Sequence, residues 1–114
     1  MTRLPFLYLA HSEARGRGIY TAQEIPAGSI IELCPVIVIP SRDLLAIHKT
    51  VLHDYYFLWG TTGEAALALG YGSIYNHAAT PNADYEMEFA EQQIRIFAKR
   101  DIAAGEEIMI SYTE

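Results

Sequence analysis

The sequence predicts a mainly β domain with one short helix. Three observations carry that expectation. Short runs rich in β-branched and aromatic residues recur along the chain, punctuated by 8 glycines and 5 prolines, which is the pattern of many short strands. Two of these runs, residues 83–89 and 94–98, alternate apolar and polar side chains as a half-buried sheet does. Only one segment carries the wider spacing of an amphipathic helix. The 114 residues suit one small domain and leave no room for a second core. With 51% of residues apolar and no low-complexity segment, the chain reads as globular.

Taken in chain order, residues 6–10 and 18–21 are the first two strands, and residues 30–39 form the longest run. The helix comes next. Ser41 is placed to cap it, Asp43 sits in its first turn, and Leu44, Leu45, Ile47, Val51 and Leu52 form its apolar stripe. It is short and is expected at the periphery. The aromatic run from Asp54 through Tyr55, Tyr56, Phe57 and Leu58 to Trp59 is expected to be buried in the core or an interface. Strands at 83–89, 94–98 and 108–112 complete the set. A faint internal echo links Ile25-Pro26-Ala27-Gly28 with Ile102-Ala103-Ala104-Gly105. Each precedes a strand, and each glycine is expected to supply a positive φ. Duplication and convergent turn chemistry explain the echo equally well.

Composition removes several function classes. No apolar run approaches the roughly 20 residues that cross a bilayer, and Met1-Thr2-Arg3-Leu4-Pro5 lacks the apolar region of a signal peptide. The expectation is a cytoplasmic protein without membrane contact. The single cysteine, Cys34, excludes an internal disulfide. With only four scattered histidines, no metal is expected; His48 and His53 are off the i, i+4 spacing that aims a helical pair at one ion. A net charge of −6 disfavours nucleic acid, whose phosphates need cations, and suits a basic protein partner. No serine or cysteine sits in a recognisable nucleophile elbow.

Besides the aromatic run from Asp54 to Trp59, three stretches could carry chemistry. Arg15-Gly16-Arg17-Gly18-Ile19-Tyr20 flanks an arginine with glycines before a strand, so its backbone can approach a flat ligand closely. It lacks the spacing and following helix of a dinucleotide-binding fingerprint, and taken alone an ordinary surface turn is the favoured reading. The segment from Gly70, Tyr71 and Gly72 through Tyr75, Asn76 and His77 to Pro81-Asn82 is dense in polar and special-backbone residues and reads as a pocket wall. The alternative is a loop whose asparagines bond their own backbone around a satisfied core histidine. Gly105-Glu106-Glu107 feeds a strand that delivers Tyr112, where packing is the ordinary role of a lone tyrosine.

Together and in this order, the stretches resemble the SET-domain family of lysine methyltransferases. Gly16-Arg17-Gly18-Ile19-Tyr20 resembles its N-terminal Gly-x-Gly strand. Asn76-His77 with Pro81-Asn82 resembles its Asn-His-x-x-x-Pro-Asn signature, and Gly105-Glu106-Glu107 through Tyr112 its Gly-Glu-Glu-x-x-x-x-Tyr motif. The likeness, to short viral and bacterial SET proteins above all, runs from about residue 7 onward and is most specific over residues 66–82 and 94–112.

The resemblance implies a β-clip architecture of several small sheets, with the C-terminal strand threaded under the loop of the Asn-His segment. It implies S-adenosylmethionine (SAM) as cofactor and the ε-amine of a protein lysine as acceptor. By the same likeness Gly16, Arg17, Gly18, Asn76 and His77 bind the cofactor, and Tyr112 is catalytic. The resemblance also implies that Tyr55 lines the lysine channel and that Tyr71 or Tyr75 completes its wall. Ala78 and Ala79 stand where the family usually continues Ser-Cys. That cysteine joins a zinc cluster in larger relatives, so Ala79 agrees with a metal-free enzyme. Only Thr113 and Glu114 follow Tyr112, where similar short proteins carry an acidic, aromatic tail. A second copy covering the open side, and hence a homodimer, is one expectation; binding of peptide or SAM without turnover is the alternative to catalysis.

Overall fold

The computed structural model describes residues 2–111 and arranges their strands in two sheets. One sheet has the order β1-β2-β9-β6, with β1 at Leu7–Ser12, β2 at Gly16–Thr21, β9 at Glu107–Ile110 and the two-residue β6 at Asn76–His77. The other has the order β4-β5-β3-β8-β7, with β3 at Ile30–Ile39, β4 at Tyr56–Trp59, β5 at Glu64–Ala68, β7 at Ala83–Glu88 and β8 at Gln93–Ala98. The mainly β expectation is met, and each expected strand is present with its ends shifted by a few residues at most. β8 shows the alternation most cleanly, with Ile94, Ile96 and Ala98 buried and the residues between them half-exposed.

The helix is shorter than its stripe implied. α1 spans Ser41–His48, and Pro40, not Ser41, occupies the N-cap position without a side-chain cap hydrogen bond. Proline holds φ at −61° with an extended ψ, so helical geometry begins one residue later. Lys49 ends the helix. The Thr50 hydroxyl then accepts from the Leu52 N–H and opens a separate 3-10 turn, Val51–Asp54. α1 buries no residue, as its peripheral placement predicts, and it is not long and apolar enough to cross a membrane.

Three strands, β4, β5 and β6, were not expected from the sequence, and β5 is the least apparent of them. Its residues, Glu64-Ala65-Ala66-Leu67-Ala68, carry no β-branched side chain, and alanine is a poor strand former by itself. Pairing on both edges decides the matter: Ala66 lies opposite Val38 on one side and Phe57 on the other. The aromatic run becomes β4, with Phe57 and Trp59 buried and Leu58 exposed.

Two features of the fold bring distant motifs together. β9 is an inner strand, antiparallel to β2 through Tyr20 opposite Glu107 and parallel to β6 through Asn76 opposite Met109. The glycine strand and the Asn-His segment are thereby held on either side of one strand. The two echoing turns also find each other. Ile25 and Ile102 exchange backbone hydrogen bonds of 2.8 Å in both directions, and both side chains are buried. Gly28 and Gly105 take φ of 85° and 88°, as the turn chemistry requires.

Candidate functional site

The turn between β1 and β2 begins the site. Its Gly16 has a φ of 69°, a region that side chains of L-residues disfavour, and a Cβ built there meets nothing within 4 Å. Gly18 is constrained differently. A Cβ there would overlap the Glu107 Oε2 atom and lie 2.8 Å from the Asn76 Nδ2 atom. Only glycine allows the side chains of Asn76 and Glu107 to lie against the β2 backbone.

Asn76 arrives from the other side of β9. Its Nδ2 group donates to the Arg17 carbonyl at 2.9 Å and to Glu107 Oε2 at 2.7 Å. Both amide protons are thus committed to protein acceptors, and the Oδ1 atom is the part of the amide left to accept. Glu107 is buried, with its side chain 3% exposed, and its Oε1 atom accepts from Arg15 Nε at 2.7 Å. That contact, first by hydrogen bond and then by charge, raises the Arg15 pKa above its ordinary value. Arg15 engages Glu107 through Nε and remains 43% exposed along its side chain.

These groups open onto a cavity of about 440 Å³ lined by Arg15, Gly16, Arg17, Tyr55, Asn76 and His77, with Asp54 and residues 73–75 completing the wall. That volume is within the usual range for small-molecule and cofactor sites, about 300–1,000 Å³. The structure therefore brings together most of the residues singled out from the sequence: Gly16, Arg17, Asn76, His77 and Tyr55 share one cavity, and Gly18 lies directly behind it against Asn76 and Glu107.

The remaining tyrosines are placed differently. Tyr75 contributes to the wall, yet it is 1% exposed, and its hydroxyl donates to Glu32 Oε1 at 2.7 Å. Burial and the neighbouring Glu32 raise its pKa well above the ordinary phenol value. Tyr71 does not line the cavity. Its N–H donates to Glu32 Oε2, and the Arg3 guanidinium lies 3.9 Å from its ring centroid. The buried Glu32 thus anchors the chain that leads into β6. Tyr112 lies outside the described residues.

Two residues of the site carry no signal of their role in the sequence. Arg15 reads there only as a flank of the glycine loop, and Glu107 as a member of the Gly-Glu-Glu motif with no role of its own. Their adjacent motifs are visible, but a contact between positions 92 residues apart leaves no local trace. Among the described residues no three His, Cys, Asp or Glu side chains come together to hold a metal ion.

The chain is similar to known proteins along most of its length. The SET domain family model matches residues 16–113. A Schizosaccharomyces pombe protein named histone-lysine N-methyltransferase, H3 lysine-37 specific, is 35% identical over 108 residues, covering 93% of this chain and 72% of the relative. The crystal structure of a candidate histone methyltransferase of Plasmodium falciparum superposes with a TM-score of 0.76 at 28% identity, covering 97% of this chain and 96% of that one.

Proposed function

The chain belongs to the SET-domain family of protein-lysine methyltransferases, and from that premise we propose that the cavity beside Gly16 and Asn76 binds SAM. The activity is methyl transfer to the ε-amine of a lysine in a protein substrate. SET methyltransferases in general use SAM, which supplies an electrophilic methyl group on a sulfonium.

The polarity of Asn76 carries the assignment. With both Nδ2 protons held by Arg17 and Glu107, the amide offers an acceptor, which suits the α-ammonium of the cofactor's methionine end. Arg15, held through Nε, keeps terminal nitrogens that suit the α-carboxylate, since a guanidinium matches carboxylate geometry. The Gly16-Arg17 backbone lets a flat nucleoside come close because no Cβ intervenes at Gly16. His77 follows Asn76 on the same wall and serves the adenine end.

The acceptor amine needs alignment more than acid–base help. Its ammonium form titrates near about 10.4 in water and must lose a proton before it attacks. Tyr55 at the cavity wall excludes water from one side of the amine, and a positive sulfonium close by disfavours the charged form. Tyr112, which comes after β9 in the sequence, is assigned to orient the amine. Positioning of this kind is worth about 7–11 kcal/mol at best. Tyr75, with its hydroxyl held by Glu32, supports the wall from beneath. The net charge of −6 favours a lysine-rich partner, and a histone tail is the substrate class suggested by the name of the S. pombe relative.

Incubation with methyl-labelled SAM and purified histone H3, with an acidic protein as control, tests this reading. Label is expected on lysines of the histone, and S-adenosylhomocysteine (SAH) is expected to bind the protein directly. No SAH binding at millimolar ligand would remove the assignment of this cavity.

A further inference from the structure

The adjacent carboxylates of Gly105-Glu106-Glu107 do different work. Glu106 turns outward and accepts from the Ala103 N–H at 2.8 Å, with Arg100 nearby at 3.5 Å. Glu107 turns inward. It is opposite Tyr20 on β2, and its two oxygens reach two different walls of the cavity: Arg15 on the β1–β2 turn and Asn76 on β6.

An asparagine side chain is nearly symmetric in shape but opposite in polarity at its two ends. Its orientation is therefore set by what surrounds it. Here one side of Asn76 faces a carbonyl oxygen and a carboxylate oxygen, at 2.9 Å and 2.7 Å. Turning the amide over would press its own oxygen against both acceptors. The carboxylate makes that reversal costly because a charged acceptor bonds a donor about twice as strongly as a neutral one. A carboxamide in its place could serve as donor or acceptor, and the preference would weaken.

We propose that Glu107 is a positioning residue for cofactor recognition: it fixes the polarity of Asn76 and the placement of Arg15, so that the pair reads the amino-acid end of the cofactor. The proposal rests on the reading of this cavity as a SAM site. Glu107 is enclosed behind Gly18 and acts only through its two partners. Its removal should weaken recognition of the α-amino and α-carboxylate groups while leaving recognition of the adenosine and thioether unchanged.

Calorimetric titration of the wild type and Glu107→Gln with two ligands separates these effects. SAH carries the amino-acid end, and 5′-methylthioadenosine lacks it. The expected result is a loss of about tenfold or more in SAH affinity for Glu107→Gln, with methylthioadenosine affinity unchanged within about twofold. Equal losses for both ligands would mark a merely structural role, and no loss for either would remove any role; both overturn the proposal. A wild type that binds neither ligand removes the SAM assignment and this proposal with it, whereas a normal wild type with an insensitive variant removes the proposal alone. Should the variant unfold, proton exchange at the Asn76 side-chain NH2 in the wild type decides. Slow exchange with and without SAH supports fixed polarity, and fast exchange in either state overturns it.

Discussion

Asn82 holds Met109, 27 residues further along the chain, by accepting from its backbone N–H at 2.9 Å. The same side chain donates to the Glu107 carbonyl at 2.8 Å. A buried amide, 2% exposed, thus pairs two backbone groups of β9 beside its short pairing with β6. This explains why the Pro81-Asn82 pair matters to a site it does not touch: Asn82 fixes the strand that carries Glu107.

Replacing Asn82 with alanine leaves the Met109 N–H and the Glu107 carbonyl unpaired in the interior. Each such group costs about 1–3 kcal/mol. Asn82→Ala is expected to lower unfolding free energy by about 2–4 kcal/mol, read from urea denaturation with an unchanged m-value. A midpoint equal to that of the wild type would show that Asn82 does not hold β9.

Gly18→Ala tests the close packing behind the cavity. The added Cβ would overlap Glu107 Oε2 and crowd Asn76, so both side chains must move. A loss of SAH affinity of about tenfold or more is expected, larger than any accompanying change in melting temperature predicts. Wild-type affinity in the variant would mean that these side chains have other room.

The buried pair Tyr75 and Glu32 predicts a stability effect and a spectroscopic one. Tyr75→Phe removes the hydroxyl that donates to Glu32 and should cost about 1–3 kcal/mol. The raised Tyr75 pKa means that alkaline absorbance titration should leave this phenol neutral until the protein unfolds. Full titration of all 8 tyrosines in the native protein would contradict this.

Glu106 sets an acid limit on stability. The Ala103 N–H, with smaller help from Asn82 and Arg100, lowers its pKa below the ordinary carboxylate value. A group depressed on folding contributes fully above its unfolded pKa, near about 4.3, and that contribution is lost as pH falls through the lower folded value. Its side chain is 37% exposed, so solvent screening keeps the contribution below about 1 kcal/mol. Glu106→Gln should therefore flatten the fall in stability below about pH 4.5 and leave the slope near neutrality unchanged. An identical acid slope in both proteins would assign it to other carboxylates.

Much of the fold could be read residue by residue. The alternation over Ile94, Ile96 and Ala98 survives as one buried face of β8, and the turn glycines Gly28 and Gly105 take the positive φ expected of them. The failures had equally specific causes. The alanine-rich β5 gave no strand signal, because its state is decided by β3 and β4 on its two edges. Ser41 lost the cap position because the backbone restriction of Pro40 outweighed its own preference for it.

The chain's pattern of short strands, its turn chemistry and the order of its motifs were determined by sequence alone, since each depends on residues a few positions apart. Which of two neighbouring glutamates faces inward, which end of the Asn76 amide is held by protein acceptors, and that Tyr75 answers to Glu32 were decided by tertiary structure. Those outcomes depend on β9 pairing with both β2 and β6, which joins positions 31 and 92 residues apart. Side-chain polarity at such a junction is set by the acceptors that long-range pairing delivers, and no local period encodes them.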